Sequence, residues 1–260
     1  MKKKILKFFG FLVAGVLIVV SSIPFIYVVS QSFVDRAGFT TLGYYDVFLA
    51  SPQYLNRFWS SMGLCLCIVA GQLVVSVMGG YGFAKCKFKC RQISFFALMM
   101  IMILPLQVTL VPNYIVLDKM GLLDTYWALL LPAFAAPIGL FMMKQFMEGL
   151  PTALIEAAHI DGANEFRIFW SIVMPNVKPA WLTVIIFSVQ SLWNPSASTV
   201  IYSEAKKTLV YALQQIQAGG IARTGQAAAV TVVVMAVPIF IFVLSQSQIL
   251  ETMASSGIKD

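Results

Sequence analysis

Charge is scarce in this sequence. Only 11% of its 260 residues are Asp, Glu, Lys or Arg, whereas 59% are hydrophobic and the mean hydropathy is +0.84. Because soluble globular domains carry about 25% charged residues, a water-soluble domain is excluded. The apolar residues occur in blocks of about 20 residues, the length that an α-helix needs to cross a bilayer. The composition therefore predicts an all-α polytopic membrane protein.

Cysteine and histidine are also scarce, with four residues and one residue respectively. Cys65 and Cys67 lie two positions apart on a predicted helix, so their side chains point to different faces and cannot readily form a disulfide. Cys86 and Cys90 have a spacing that suits two metal ligands, but no further Cys or His follows to complete a zinc site. His159 has no carboxylate or serine arrangement that would define a catalytic base. We therefore expect no metal site, no bound cofactor and no catalytic residue.

A functional phosphate-binding loop is missing as well. Gly220 and Gly225 have the G-x4-G spacing of such a loop, but Gln226 stands where a lysine would neutralise phosphate and Ala227 where a hydroxyl would bind Mg²⁺. The chain is therefore expected not to bind ATP, so nucleotide-driven work would fall to a partner. The net charge of +7 does not indicate nucleic acid, because the basic residues stand at the ends of apolar blocks.

Six apolar blocks are long enough to cross about 30 Å of hydrocarbon as helices. They predict a single transmembrane domain over residues 1–260, with helices at 8–29, 59–83, 93–112, 126–143, 180–200 and 227–249. All should be helical, because an open sheet in lipid would leave backbone amides without partners. The first block follows several lysines and could be a signal peptide, but its apolar run exceeds the roughly 7–15 residues of a typical one. We interpret it as a retained helix.

The distribution of Lys and Arg predicts the orientation, because cationic side chains resist translocation across the membrane. With the N-terminus inside, twelve of the 18 Lys and Arg residues lie in inner segments and six in outer segments. Both termini and the long loop 144–179 are therefore expected in the cytoplasm. The segments around Asp46, Leu122 and Gln217 are expected outside.

The long cytoplasmic loop contains two short helical patterns separated by a glycine. Pro151 suits the first turn of a helix that runs to Asp161, and Thr152 could cap it. Gly162 should end that helix, because a left-handed residue often follows a helix. Asn164 could cap the second short helix. These features predict a compact helix-turn-helix, although an amphipathic linker at the membrane interface remains an alternative.

The second short helix has an apolar side and a proline near its end. Phe166, Phe169 and Trp170 recur at helical spacing and should pack against the cytoplasmic face of the membrane domain. Pro175 should end this helix, because proline lacks the N–H that a helix interior needs.

A spaced motif in this loop resembles the EAA signature of permease subunits from binding-protein-dependent ABC importers, E-A-A-x3-G-x9-I-x-L-P. Glu156, Ala157 and Ala158 are followed after three residues by Gly162, and nine residues later by the stretch 172–175, where Met174 replaces leucine. Neighbouring residues are similar to the carbohydrate branch, of the maltose and glycerol-phosphate type: Ile160 to Ala163, Arg167 to Phe169, Lys178 to Ala180, Trp193 with Asn194, and the tail Gly257 to Asp260.

The resemblance implies a type I ABC importer permease fold in a bacterial cytoplasmic membrane, and a subunit that is not an enzyme. Such a subunit pairs with a second, usually unlike, permease over two ATPase subunits that hold ATP and Mg²⁺. A solute-binding protein outside the membrane delivers the sugar. The EAA loop of each permease forms a coupling helix that docks in a cleft of one ATPase.

The resemblance also implies roles for residues of the loop. Glu156 would provide charge complementarity to a basic group in the ATPase cleft, Ala157 and Ala158 would permit close approach, and Gly162 would form the turn. Asp161 would belong to the same coupling surface. The residues that would pack the loop are Phe166, Phe169, Ile172 and Pro175.

One face of the fifth predicted helix carries uncharged polar groups with an aromatic ring. Thr183, Phe187, Gln190 and Asn194 recur at spacings of four, three and four residues. Such groups suit a neutral polyhydroxylated solute, so this face could line the translocation path. Alternatively, the amides bond neighbouring helices. On the second predicted helix, the small residues at 76 and 80 are interpreted as a helix-packing surface.

Two other classes of membrane protein were weighed against an importer permease. A secondary transporter would rather show an ionisable residue within its spans for ion coupling, and none of the six predicted spans contains Asp, Glu, Lys or Arg. A structural scaffold would not require the spaced EAA loop. An importer permease is therefore favoured.

Overall fold

The computed structural model describes residues 2–35, 38–49, 52–193, 200–218 and 224–256. Three helices exceed the length of an ordinary span: α1 (Lys2–Gln31), α3 (Pro52–Lys85) and α13 (Thr224–Ser256). A two-residue antiparallel pair, β1 (Val34–Asp35) with β2 (Gly38–Phe39), and a short helix α2 (Leu42–Phe48) connect the first two of them. The described residues are thus helical almost throughout.

Shorter helices follow α3. Their bounds are α4 Arg91–Ile103, α5 Leu106–Lys119, α6 Trp127–Phe134, α7 Pro137–Glu148, α8 Thr152–Ile160, α9 Glu165–Ile168, a π-helix Phe169–Val173, α10 Met174–Asn176, α11 Lys178–Leu192, a 3₁₀ turn Glu204–Lys206 and α12 Leu209–Ala218. Many of these helices follow one another directly along the chain, with only a few non-helical residues between them.

Four described segments are long and apolar enough to cross a membrane: Lys7–Gln31, Gln53–Lys85, Trp127–Glu148 and Gly225–Gln246. Two bent pairs also qualify when each pair is taken as one span. The first joins α4 to α5 with a bend of 106°, and the second joins residues 165–176 to α11 with a bend of 75°. Counting each bent pair as one span gives six candidate spans, the number that the sequence predicts, although residues 165–176 belong to the predicted cytoplasmic loop rather than to the predicted fifth helix.

The third predicted helix, 93–112, is broken rather than continuous. Leu104 has an extended backbone, with φ −67° and ψ 126°, and Pro105 continues the extended stretch before α5 begins. A residue that precedes proline avoids the helical region because of a steric clash with the proline ring. The single predicted helix is thus two helices joined at Leu104 and Pro105.

The fourth and fifth predicted helices also differ from the structure. The fourth, 126–143, extends to Glu148 and is interrupted at Ala135 and Ala136. The fifth, 180–200, begins earlier and ends at Leu192, and residues 194–199 lie outside the described part. Apolarity alone does not distinguish a helical residue from an extended one, so the sequence misses such breaks.

The predicted single domain divides into two compact units. One contains residues 1–58 and 209–237, and the other residues 59–208 and 238–260. In the first unit, Gln226 Nε2 donates to Asp46 Oδ2 at 3.2 Å, and Tyr44 donates to the Ser32 hydroxyl at 2.8 Å. These bonds join α2 to α13 and to the end of α1.

The second unit has a hydrophobic core to which α3, α7, the predicted cytoplasmic loop and α11 contribute. Its most deeply buried members come from α7, the loop and α11, and they are Met143, Met147, Ile168, Val173 and Ala180, each 0% exposed. Small residues let α3 and α7 approach closely, because a Cβ added at Gly80 would lie 2.6 Å from Met143 Cβ. The predicted helix-packing role of Gly80 and of Ser76, which is fully buried, is confirmed.

Candidate functional site

The first helix of the predicted cytoplasmic loop is α8. Its N-cap is Pro151, which has φ −57° and ψ 129°, and no side chain caps this end. Thr152 is the first helical residue, so the predicted cap at Thr152 is not formed. Proline suits a helix start, since its fixed φ and missing N–H cost nothing where the helix has no partner for that group.

A left-handed turn at Gly162 ends α8. Gly162 has φ +77°, the Ala163 N–H donates to the Ala158 carbonyl at 3.0 Å, and the Gly162 N–H donates to the His159 carbonyl at 3.0 Å. This pair of bonds is the Schellman motif, which satisfies the last carbonyls of a helix. The predicted stop at Gly162 is confirmed.

The side chains of α8 divide into a buried row and an exposed row. Ala158 is 7% exposed and joins the hydrophobic core, with Ile155 packed beside it. Glu156, Ala157 and Asp161 are exposed, as Ile160 is, at 86%. The helix therefore rests on the hydrophobic core through Ala158 and Ile155 and leaves Glu156, Ala157 and Asp161 exposed.

The second half of the loop begins at Asn164. Its Oδ1 accepts a hydrogen bond from the Arg167 N–H at 2.8 Å, so the predicted cap of α9 is confirmed. The helix does not end at Pro175 but continues to Asn176. Pro175 has no N–H to donate to the carbonyl four residues earlier. The residues before it form a π-helix, whose hydrogen-bond register differs from that of an α-helix, so the missing N–H does not end the helix. The Asn176 side chain donates to the Ile172 carbonyl at 2.7 Å.

The four residues expected to pack the loop are placed differently from one another. Phe169 and Ile172 are partly buried against the core. Phe166 is 72% exposed and contacts Trp170, with ring centroids 6.2 Å apart, and Pro175 is exposed. Ile168 and Val173 are deeply buried in this half of the loop. Which side chains face inward is decided by their position on the helix and not by whether they are aromatic.

A polar contact that the sequence analysis missed joins the loop to α3. The Tyr81 hydroxyl donates to Glu165 Oε2 at 3.1 Å, and His159 Nε2 lies 3.4 Å from Glu165 Oε1. The Tyr81 ring also packs edge-on against Phe169, with centroids 5.2 Å apart. The loop is thus held to a membrane-spanning helix through both a ring contact and a hydrogen bond. Beside it lies an apolar groove of about 720 Å³.

A smaller cavity of about 470 Å³ lies between α3, the junction of α6 with α7, and α11. Its lining includes Phe187 and Gln190 from the predicted polar face of α11, together with Ser188, Ser191 and Gln72. Among the described residues that line it, none is Asp, Glu, Lys, Arg or His. The cavity therefore offers hydrogen bonds without formal charge.

The four residues proposed to line the translocation path are only partly brought together. Phe187 and Gln190 are exposed and line the cavity. Thr183 does not line it, and its hydroxyl donates to the Pro179 carbonyl at 2.8 Å. Asn194 lies outside the described residues. Gln72 was not identified from the sequence, because one glutamine among apolar residues carries no motif.

Asp124 forms a further polar cluster of the second unit. It accepts hydrogen bonds from the Ser203 hydroxyl, from the Ser203 N–H at 2.9 Å and from the Tyr202 N–H at 3.2 Å, and Lys206 Nζ lies 3.3 Å from its Oδ2. The Ser203 hydroxyl, then the Ser203 N–H, lower the pKa of Asp124 to about 2. These contacts join the α5–α6 loop to the segment before α12.

Comparison with known proteins identifies the family. Residues 72–253 match the family described as the binding-protein-dependent transport system inner membrane component. The chain is 31% identical to the protein LplC of Bacillus subtilis strain 168 over 212 residues, which cover 76% of this chain and 70% of LplC. It is 35% identical to the arabinooligosaccharides transport system permease protein AraQ of the same strain over 151 residues, which cover 58% of this chain and 54% of AraQ.

A solved structure shows the fold. The permease chain of a bacterial ABC transporter involved in the import of the acidic polysaccharide alginate superposes with a TM-score of 0.83, over 95% of this chain and 97% of that chain, at 21% sequence identity. The predicted all-α, multi-pass permease fold is thereby confirmed. The chain belongs to the family of inner membrane components of binding-protein-dependent transport systems, and it is a permease component rather than an enzyme.

Proposed function

We propose that this chain is the transmembrane subunit of an ATP-driven sugar importer and that α8 is its coupling helix. The observation that carries the proposal is the placement of the EAA motif. Ala158 anchors α8 in the core, whereas Glu156, Ala157 and Asp161 are exposed along the outer side of this short helix. A surface of this kind suits a second protein better than it suits lipid, because it contains two carboxylates.

The link between α8 and the membrane helices supports a mechanical role. The loop packs on α7 and α11 through the core, and the hydrogen bond between Glu165 and Tyr81 holds it to α3. Because a packed core transmits displacement rather than absorbing it, movement of α8 by an ATPase would re-tilt these helices. The chain would then alternate between inward-open and outward-open states.

The proposed partners follow from the family and from the residues. A second permease, two ATPase subunits that bind ATP and Mg²⁺, and a solute-binding protein outside the membrane would complete the importer. The proposed location is a bacterial cytoplasmic membrane, with both termini and the EAA loop in the cytoplasm. The cargo is proposed to be a sugar or oligosaccharide, because AraQ is named for arabinooligosaccharides and the cavity on α11 is uncharged.

Reconstitution tests this function. The chain, a partner permease and the ATPase subunits would be assembled in proteoliposomes with the binding protein outside, and import of labelled arabinotriose would be measured. Import should require ATP and the binding protein, and a non-hydrolysable ATP analogue should abolish it. Import that persists without ATP would instead indicate a secondary transporter and would contradict the proposal.

A further inference from the structure

The span formed by α6 and α7 is interrupted near its middle. Ala135 has φ −75° and ψ 90°, and Ala136 has φ −110° and ψ 80°, so neither residue is helical. Non-helical backbone at membrane depth is tolerated only where it is buried in protein or lines an aqueous cavity. Ala136 and Pro137 line the cavity of about 470 Å³ beside α11. The break thus faces a compartment that can hold water or a polar solute.

Gln72 stabilises this break with half of its amide. Pro137 has no N–H, so the Ala133 carbonyl lacks the partner that a continuous helix would provide. Gln72 Nε2, from α3, donates to this carbonyl at 2.6 Å. This bond also establishes the orientation of the amide, because the opposite orientation would place two acceptors against each other.

The other half of the Gln72 amide is unused. Gln72 Oε1 has no hydrogen-bond partner within the described part of the chain, although Gln72 is only 7% exposed and lines the cavity. A buried polar atom without a partner is rare and calls for a ligand or a water molecule. Gln72 Oε1 is a hydrogen-bond acceptor, so its missing partner has to be a hydrogen-bond donor.

The composition of the cavity restricts the donor further. Ser188, which is 6% exposed, and Gln190 and Ser191 provide hydroxyl and amide groups on the α11 side, and Phe187 provides an aromatic face. None of the lining residues that the structure describes carries a charge that would offset a carboxylate or a phosphate. Transfer of an uncompensated charge from water into such a site is strongly unfavourable, whereas a neutral polyol could exchange its water bonds for these groups.

We infer that Gln72 and the α6–α7 break form, with Ser188 and Gln190, a binding subsite for a neutral sugar, in which a sugar hydroxyl donates to Gln72 Oε1. The inference rests on the proposed import function and adds that the sugar is neutral, together with a recognition residue on α3. Gln72 then has two roles, since its amide Nε2 holds the break and its amide Oε1 binds the solute.

Uptake by the complete importer in proteoliposomes tests the subsite. The probes are arabinotriose, maltotriose and an alginate trisaccharide. Each probe is supplied at a concentration that saturates the binding protein that delivers it. We expect ATP-driven import of at least one neutral probe and none of the alginate. Gln72→Leu should lower import of that neutral probe by about three- to tenfold per assembled complex, the effect of one lost hydrogen bond, and Gln190→Leu should lower it similarly.

Ser76→Ala is the matched control on the same helix. Ser76 Oγ is also buried without a partner in the described chain, and Ser76 lies one turn beyond Gln72, but it does not line the cavity. Its removal should leave import unchanged. Ser188→Ala tests the subsite even if Gln72→Leu misfolds, because Ser188 lies in the cavity wall without bonding to the α6–α7 break. Ser188→Ala should reduce import while its thermal stability equals that of the wild type.

Deoxy sugars separate recognition from a merely structural role. Each single-deoxy analogue of the imported probe lacks one hydroxyl. For one analogue, the wild type should import it several-fold less well than the parent sugar, whereas Gln72→Leu should import both equally well. The reason is that the deoxy change and the substitution remove the same hydrogen bond. Additive losses for every analogue, or unchanged import in Gln72→Leu and Ser188→Ala, would overturn the subsite. Import confined to alginate would also overturn it while leaving ATP-driven import intact, whereas no ATP-driven import of any probe would contradict the proposed function itself.

Discussion

Met143 of α7 lies directly over Gly80 of α3, where an added Cβ would be 2.6 Å from Met143 Cβ and 3.0 Å from the Lys144 backbone nitrogen. Met143 is 0% exposed, so its backbone has no space into which to withdraw. The contact lies beside the core that carries the cytoplasmic loop, and it brings two membrane-spanning helices to backbone distance. Close approach of this kind is how small residues promote helix association in a membrane.

We expect Gly80→Ala to destabilise the protein by about 1–3 kcal/mol, the usual cost of overpacking a tight contact. The matched control is Gly82→Ala on the same helix, where an added Cβ meets nothing within 4 Å. Thermal unfolding in detergent gives the melting temperature of both variants. The melting temperature of Gly82→Ala should equal or slightly exceed that of the wild type. Equal melting temperatures for the two variants would show that α3 and α7 do not pack as described.

Glu156→Lys should uncouple the importer from ATP hydrolysis. Glu156 is exposed on α8, so reversal of its charge should leave the fold intact. In the proposed docking, the new lysine would repel the basic group expected in the ATPase cleft. Breaking a buried charge pair across an interface costs about 2–5 kcal/mol. Binding-protein-stimulated ATPase activity, sugar uptake and co-purification of the ATPase should all fall.

Asp118→Lys is the control for that reversal, because Asp118 is exposed on α5 outside the cytoplasmic loop. It makes the same change of charge and should leave ATPase retention unchanged. If Glu156→Lys retained normal uptake and stimulation, the loop would be a linker and α8 would not be a coupling helix.

Gly162→Ala should weaken coupling through the backbone alone. Nothing lies within 4 Å of an added Cβ at Gly162, so the expected cost of roughly 1–2 kcal/mol comes only from the left-handed conformation at φ +77°. Gly149→Ala serves as the comparison, since Gly149 precedes the same helix with an ordinary φ of −69°. ATP-driven uptake should fall in the first variant and persist in the second; equal uptake would mean that the turn at Gly162 is not needed for coupling. Gly162→Asp should be more severe, because it adds a carboxylate at the docking surface.

The Asp124 cluster should weaken only in strong acid. The pKa of Asp124 is lowered to about 2, below its unfolded value of about 3.9, so its stabilising effect is complete above about pH 4 and is lost as the pH falls towards 2. Amide hydrogen exchange at Tyr202 and Ser203, corrected for intrinsic rates, should therefore show equal protection at pH 5 and pH 8. Asp124→Asn should lower this protection at both values, because the ion pair with Lys206 is lost. Protection that already falls between pH 8 and pH 5 would assign the effect to another group.

Single cysteines test the orientation of the chain. In a background without the four native cysteines, an impermeant thiol reagent added outside should label residues 46, 122 and 217 and should not label residue 156. This pattern follows from the excess of Lys and Arg in the inner segments. Labelling of residue 156 from outside would reverse the topology and remove the proposed contact with the ATPase.

Prolines illustrate where sequence reasoning about this fold stops. Pro24, Pro112, Pro132 and Pro238 lie inside helices, whereas helices break at Pro105 and Pro137. In a continuous helix each of these prolines would remove the same hydrogen bond, so whether the helix continues or breaks depends on what surrounds the freed backbone groups. At Pro137 the decisive partner is Gln72, which is 61 residues from Ala133 in the chain.

The sequence by itself determined the membrane class, the number of apolar spans, the EAA motif, the stop at Gly162 and the cap at Asn164. These features depend on interactions within a few residues, or on burial in lipid, and local composition encodes both. Only the tertiary structure decided that Ala158 is buried while Glu156 is exposed, that Asp124 meets Ser203 79 residues away, and that Phe187 and Gln190 share a cavity with Gln72. Those contacts depend on how separate helices pack, and a single polar residue in an apolar helix does not specify its partner.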